Sequence, residues 1–121
     1  MALILVMDDD ASVRIALRTL LLKEGHEVLE ATNGVEGANL YVQNRPDLVI
    51  TDIFMPDKDG VETLLELRHD FPDVKVIVIS GNAQKFLPLT EDLGAHWTLT
   101  KPFKATEILE AVRDLLERSE T

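Results

Sequence analysis

The sequence predicts an α/β domain in which five strands alternate with helices, (βα)5, around a parallel sheet. Three observations predict it. Short runs such as Leu3 to Met7, Leu48 to Thr51 and Val76 to Ile79 are almost wholly apolar, as strands are when helices cover both faces of a parallel sheet. The stretches between them carry apolar residues at helical spacing. The loops are short, and no repeat, linker or low-complexity tract interrupts the alternation, which implies right-handed crossovers between parallel strands.

Each element has its own local reasons. Leu3 to Met7 is the first strand. Asp10 stands where an N-cap belongs and Gly25 where a C-cap belongs, bracketing a helix from about Ala11 to Glu24 with Val13, Ala16, Leu17, Leu20 and Leu21 on one face. His26 to Ala31 mixes polar residues in, as a strand nearer the sheet edge does. Asn33-Gly34 then turns into a second helix marked by Val35, Ala38, Tyr41 and Val42; Gly37 inside it costs roughly 1 kcal/mol of propensity relative to Ala. After the strand ending at Thr51-Asp52, the Asp59-Gly60 turn opens a third helix with Val61, Leu64, Leu65 and Arg68, ending before Phe71-Pro72. Between Asn82 and Leu93, Pro88 breaks the pattern, so a short or irregular element is expected there. Trp97 to Thr100 reads as the fifth strand. Ile108, Leu109, Val112, Leu115 and Leu116 form an apolar stripe out to about Arg118.

Composition narrows the function. The chain has 121 residues, 45% hydrophobic and 28% charged, which fits one ordinary folded domain over 1–121 with its core at about 2–118. Its lack of cysteine excludes disulfide scaffolds, zinc–thiolate sites, iron–sulfur clusters and thiol catalysis. Twelve basic residues against 22 acidic ones leave a net charge of −10, which repels nucleic acid phosphates and anionic membranes. No run approaches the roughly 20 apolar residues of a membrane span, and the N-terminus has no secretory pattern. A cytoplasmic protein without direct nucleic acid or membrane contact is expected. His26, His69 and His96 share no spacing and are expected to face solvent.

In parallel α/β sheets the functional crevice lies at the carboxyl ends of the strands. Strand one ends in Asp8-Asp9-Asp10, strand three in Asp52, strand four in Ser80-Gly81-Asn82 and strand five in Thr100-Lys101-Pro102-Phe103. Converging carboxylates repel one another unless positive charge stands among them. A hard divalent cation suits such a cluster, and Mg²⁺ does so with few carboxylates, several waters and phosphate oxygen. An aspartate beside it is a candidate nucleophile for an aspartyl-phosphate, with a lysine and the Ser80 hydroxyl set to hold phosphoryl oxygens. Taken singly, the Asp run is more often a solvated, helix-capping cluster than a metal site, and Ser80 and Lys101 are ordinary surface residues.

This set resembles the receiver domain of two-component response regulators. The matching pieces are Ile4 to Asp10, Asp52 with Met55-Pro56 and Asp59-Gly60, Ile79-Ser80-Gly81, and Leu93-Gly94-Ala95 leading to Thr100-Lys101-Pro102-Phe103. The resemblance implies a flavodoxin-like doubly wound fold with a five-stranded sheet of order 2-1-3-4-5. It implies Asp52 as phosphoacceptor and Mg²⁺ held by Asp8, Asp9, Asp52 and the Phe54 backbone carbonyl, Asp9 directly and Asp8 partly through water. It also implies Ser80 as switch hydroxyl, Lys101 as phosphate partner, and a cis Lys101-Pro102 bond. The implied partners are a sensor histidine kinase or histidine phosphotransferase and a downstream protein target, with the chain a monomer or a phosphorylation-dependent dimer. The chain stops just after the fifth helix, so no output domain is expected.

Two departures stand out. Where such receivers place Tyr or Phe three residues before the lysine, this chain has Thr98, with Trp97 beside it. Either Trp97 takes a related switching role, or signalling relies on loop and backbone shifts; Trp97 and Thr98 are the candidate switch-surface residues. The resemblance implies that Phe54 and Asn82 occupy positions that tune self-dephosphorylation in that family, and the bulk of Phe54 then predicts a long-lived phosphoryl group. Two other readings compete with the signalling switch. One is a receiver-like interaction module that is never phosphorylated. The other is a phosphatase of the haloacid dehalogenase type, disfavoured by the small size and a thin motif match at Asp8 and Asp10.

Overall fold

The computed structural model describes residues 2–53, 60–81 and 94–118. Five parallel strands form one sheet in the order β2-β1-β3-β4-β5: β1 (Leu3–Met7), β2 (Glu27–Ala31), β3 (Leu48–Asp52), β4 (Val76–Ser80) and β5 (Trp97–Thr100). Four helices are described: α1 (Ala11–Lys23), α2 (Gly34–Asn44), α3 (Gly60–Asp70) and α4 (Ala105–Glu117). The element expected between Asn82 and Leu93, with Pro88, lies outside the described residues, as do Phe54, Met55 and Pro56.

Strand alternation builds two cores from one sheet. Ile4, Val6, Leu48, Ile50, Ile77, Ile79 and Leu99 point to one face, where Leu17 and Leu21 of α1 and Ile108, Ala111, Val112 and Leu115 of α4 cover them. Leu5, Met7, Val49, Val76 and Val78 point to the other, against Tyr41 of α2 and Leu64 and Leu67 of α3. The three central strands are buried on both sides, which is why their sequences are apolar up to the polar residues Thr51, Asp52 and Ser80 at their carboxyl ends. The edge strand β2 exposes Glu27 and leaves its middle half-buried.

The caps follow the sequence. Asp10 caps α1, its carboxylate accepting the Ser12 N–H at 2.9 Å, and Gly25 follows with φ of 86°, a conformation that costs glycine little. Asn33 caps α2 through the Glu36 N–H, while the Glu36 carboxylate accepts the Thr32 N–H.

All four described helix faces differ somewhat from expectation. In α2, Val35 and Val42 are exposed and the inward face is Gly34, Gly37 and Tyr41. Gly37 is there because a Cβ at that position would run into Met7 Sδ; closeness to β1 outweighs helix propensity. In α3 Leu65 is exposed and Leu67 is buried in its place. In α1 Ala16 is exposed, and Leu17 and Leu21 carry the packing. In α4 Ala111 joins the buried stripe.

The histidines also need correction. His69 does face solvent, with 89% of its side chain exposed. His26 is half-buried and its Nδ1 accepts the Ala2 N–H at 3.1 Å. His96, although exposed, accepts the Val76 N–H through Nδ1 at 3.2 Å. Both therefore sit at the amino edge of the sheet and serve strand backbone.

Candidate functional site

At the opposite, carboxyl edge, β1 and β3 are neighbours with Met7 in register with Thr51, so the residues that follow, Asp8 just past β1 and Asp52 at the end of β3, come side by side. β4 ends at Ser80, paired with Thr100 in β5. The Lys101 N–H donates to the Ser80 carbonyl at 2.8 Å, so the lysine leaves the sheet at the site. The Lys101-Pro102 bond is cis, as the resemblance implied.

Lys101 Nζ stands 2.8 Å from Asp52 Oδ2 and 2.8 Å from Asp8 Oδ2. The Asp8 side chain is wholly buried, and those of Asp52 and Lys101 are 13% and 22% exposed. Oxygens of Asp8, Asp9 and Asp52 all lie within 4.8 Å of one another. Among the described residues this is the one group of acidic and histidine side chains close enough to share a metal ion. Ser80, 3% exposed, ends the neighbouring strand. Asp8, Asp9, Asp52, Ser80 and Lys101 are thus carried to one edge of the sheet; the Phe54 carbonyl lies outside the described residues.

Burial pushes the Asp8 carboxyl above its ordinary value, and the Asp52 charge adds to this. Contact with Lys101 and the Asp10 N–H, which donates to Asp8 Oδ1 at 2.9 Å, pulls it partly back. For Lys101, burial favours loss of the proton, but the hydrogen bonds and charges of Asp52 and Asp8 together outweigh it and raise the ammonium pKa. Apart from its ion-pair contact with Lys101, the buried Asp8 Oδ2 accepts no hydrogen bond. A hard cation fits this donor set: clustered carboxylate oxygens, those of Asp8 desolvated by burial, are the ligands Mg²⁺ takes.

Sequence reasoning missed Arg14. Its Nη1 donates to the Asp8 carbonyl at 2.7 Å and its Nε lies 3.5 Å from Glu30 Oε1. Its position one turn into α1, behind an acidic strand end, was the available signal.

Trp97 and Thr98 part company. Trp97 lies in register with Ile77 and packs against the core under α1 and α4, its Nε1 donating to Asp114 Oδ2 at 2.7 Å. Thr98, in register with Val78, faces the other side of the sheet. The structure does not bring Trp97 to the acidic cluster.

Fold and site together define a doubly wound α/β domain with a cation-seeking carboxylate cluster at the carboxyl edge of its sheet. The chain belongs to the response regulator receiver domain family, whose family model matches residues 4–113. It is 40% identical over 119 residues to response regulator MprA of Mycobacterium sp. (strain KMS), covering 96% of this chain and 51% of that protein. It is 36% identical to chemotaxis protein CheY of Bacillus subtilis (strain 168), with 93% of this chain and 96% of the relative covered. Among solved structures, response regulator protein TrrA from Thermotoga maritima, in complex with Mg(2+)-BeF, matches with a TM-score of 0.87 at 34% identity, over 95% of this chain and 99% of that one. The chain spans about half the length of the MprA relatives. Receiver domains are phosphoacceptor signalling domains and not dedicated enzymes, and they typically bind Mg²⁺ through an acidic cluster. No described helix is long and apolar enough to cross a membrane.

Proposed function

We propose that this chain is a single receiver domain acting as a phosphorylation-dependent switch, with Asp52 as phosphoacceptor. The observation that carries the reading is the Lys101 ammonium, 2.8 Å from both Asp8 and Asp52, in a group of three carboxylates at one edge of the sheet. Structural ion pairs do not need the third carboxylate; phosphoryl transfer does.

The phosphoryl donor is a phosphohistidine on a partner kinase or phosphotransferase in the cytoplasm. An Asp52 carboxylate oxygen attacks phosphorus, a P–O bond forms, the P–N bond breaks, and the imidazole nitrogen keeps the electron pair and takes a proton. Asp8, Asp9 and Asp52, with the Phe54 backbone carbonyl, would hold Mg²⁺, which would supply positive charge against the phosphoryl oxygens when bound. Lys101 transfers its pairing from Asp52 to a phosphoryl oxygen, and the Ser80 hydroxyl donates to another. Those contacts pull on the strand ends that Lys101 and Ser80 share, which biases the partner surface near β5 and α4 toward a downstream protein. Trp97 is packed and hydrogen-bonded on the far face, so the signal runs through Ser80, the loops and the backbone. The chain works as a monomer or as a dimer formed on phosphorylation.

Incubation with Mg²⁺ and acetyl phosphate, followed by intact mass, tests this. One added phosphoryl group that disappears in Asp52→Asn is expected. No adduct in the wild type supports the competing reading of an interaction module that is never phosphorylated.

A further inference from the structure

The turn between β1 and α1 carries both Asp8 and Asp9, so their spacing is set by what holds that turn. Its start is fixed by the sheet: the Asp8 N–H donates to the Ala31 carbonyl at 3.1 Å. Its end is fixed by the Asp10 cap on α1. Between them, the Asp8 carbonyl has left the ladder and points at a side chain, Arg14 Nη1, 2.7 Å away. That guanidinium is itself oriented. The Arg14 side chain is only 17% exposed, and its Nε faces Glu30 on β2, whose other oxygen lies 3.9 Å from Arg18 Nη1. Glu30 pairs with Val6 across the ladder, two residues before Asp8. One planar fork thus ties α1, β2 and the peptide of the first acidic residue together, a geometry that lysine cannot reproduce.

We infer that Arg14, oriented by Glu30, is a positioning residue that holds the Asp8–Asp9 turn in the arrangement that binds Mg²⁺. This inference rests on the proposed reading of the acidic cluster as the metal site. Arg14 touches neither the metal nor the reacting atoms in this account; it acts through the Asp8 peptide.

The direction of the effect separates this role from simple electrostatics. Arg14 is a cation beside a cation-binding cluster, so removing its charge alone should tighten Mg²⁺ binding. Removing a positioning contact should weaken it. The experiment measures Mg²⁺ affinity of the whole chain by calorimetric titration, with thermal unfolding in chelator as the separate readout of stability. Arg14→Met, which keeps the apolar stem, should bind Mg²⁺ about tenfold more weakly while remaining folded. Affinity that is unchanged or tighter overturns the inference. If Arg14→Met does not fold, Arg14→Lys keeps the charge and most of the stem; it should still bind several-fold more weakly, and wild-type affinity there overturns the inference equally. A wild-type chain that binds no Mg²⁺ removes the underlying metal-site reading instead, so the two failures are distinct.

Discussion

The indole N–H of Trp97 donates to Asp114 Oδ2 at 2.7 Å, tying the first residue of β5 to the last half of α4. Arg118 holds the same oxygen at 2.7 Å from the other side. The Trp97 hydrogen bond, with the contact and charge of Arg118, keeps the Asp114 carboxyl below its ordinary range. Because the folded-state value is lowered, the stability it contributes is present above the unfolded carboxylate pKa and is lost as pH falls through the folded one. Trp97 emission should therefore show an acid transition below the usual carboxylate range, and Asp114→Asn should abolish it. Phosphorylation, in contrast, should leave the Trp97 emission maximum unchanged; a large shift would make Trp97 part of the switch.

Asp8 and Lys101 should respond in opposite directions to removal of their charge. The Asp8 pKa is raised in the fold, so its contribution to metal-free stability is favourable at low pH and is lost as pH rises through the folded value. Asp8→Asn should raise the melting temperature in chelator at neutral pH and abolish Mg²⁺ binding. Lys101→Met leaves a buried and a mostly buried carboxylate without their cation, and should cost about 3 kcal/mol of denaturation free energy in chelator. Chemical denaturation of both variants in chelator checks the pair of signs.

Gly37→Ala sets two effects against each other. Alanine improves helix propensity by roughly 1 kcal/mol, but its Cβ meets the Sδ of Met7, which is fully buried. The methionine must shift inside a closed core, and the net result should be a loss of about 1 kcal/mol. A double-mutant cycle with Met7→Ala should show strong coupling, because the smaller side chain removes the obstacle; additive effects would contradict the packing argument.

His26 and His96 make stability depend on pH near neutrality. Burial lowers both pKa values; the N-terminal ammonium adds to this at His26 while Glu24 opposes it, and Arg118, Arg68 and Lys75 add to it at His96. Each Nδ1 accepts a backbone N–H, which a protonated ring cannot do. The folded values lie below the unfolded 6.5, so this stability is present above pH 6.5 and fades as pH falls through the folded values. His26→Asn with His96→Asn, which keep an acceptor without the titration, should flatten the decline in denaturation free energy below pH 6.5.

Much of this protein was legible one residue at a time. The wholly apolar runs at Leu3, Leu48 and Val76 announced central parallel strands, because only a strand covered on both faces can afford no polar side. Asp10, Asn33 and Gly25 marked helix ends through their own backbone chemistry. Asp8, Asp9, Asp52, Ser80 and Lys101 were legible as a set because each directly follows or ends a strand, and parallel strands finish at a common edge. Helix faces were less legible. Val35, Val42 and Leu65 have the right hydrophobicity, yet Gly37 and Leu67 take the inner positions, since a glycine's lack of side chain is invisible as a packing signal until Met7 lies across it.

What only tertiary structure decided is which partner each polar group found. The sequence determined that carboxylates and a lysine would meet; contact distances decided that one ammonium bridges Asp8 and Asp52, that Arg14 reaches the Asp8 peptide, and that Trp97 turns to Asp114 on the opposite face from Thr98. Periodicity and capping are local and repeat along the chain, so sequence carries them. A hydrogen bond between residues far apart depends on strand register and helix placement together, and those exist only once the sheet has formed.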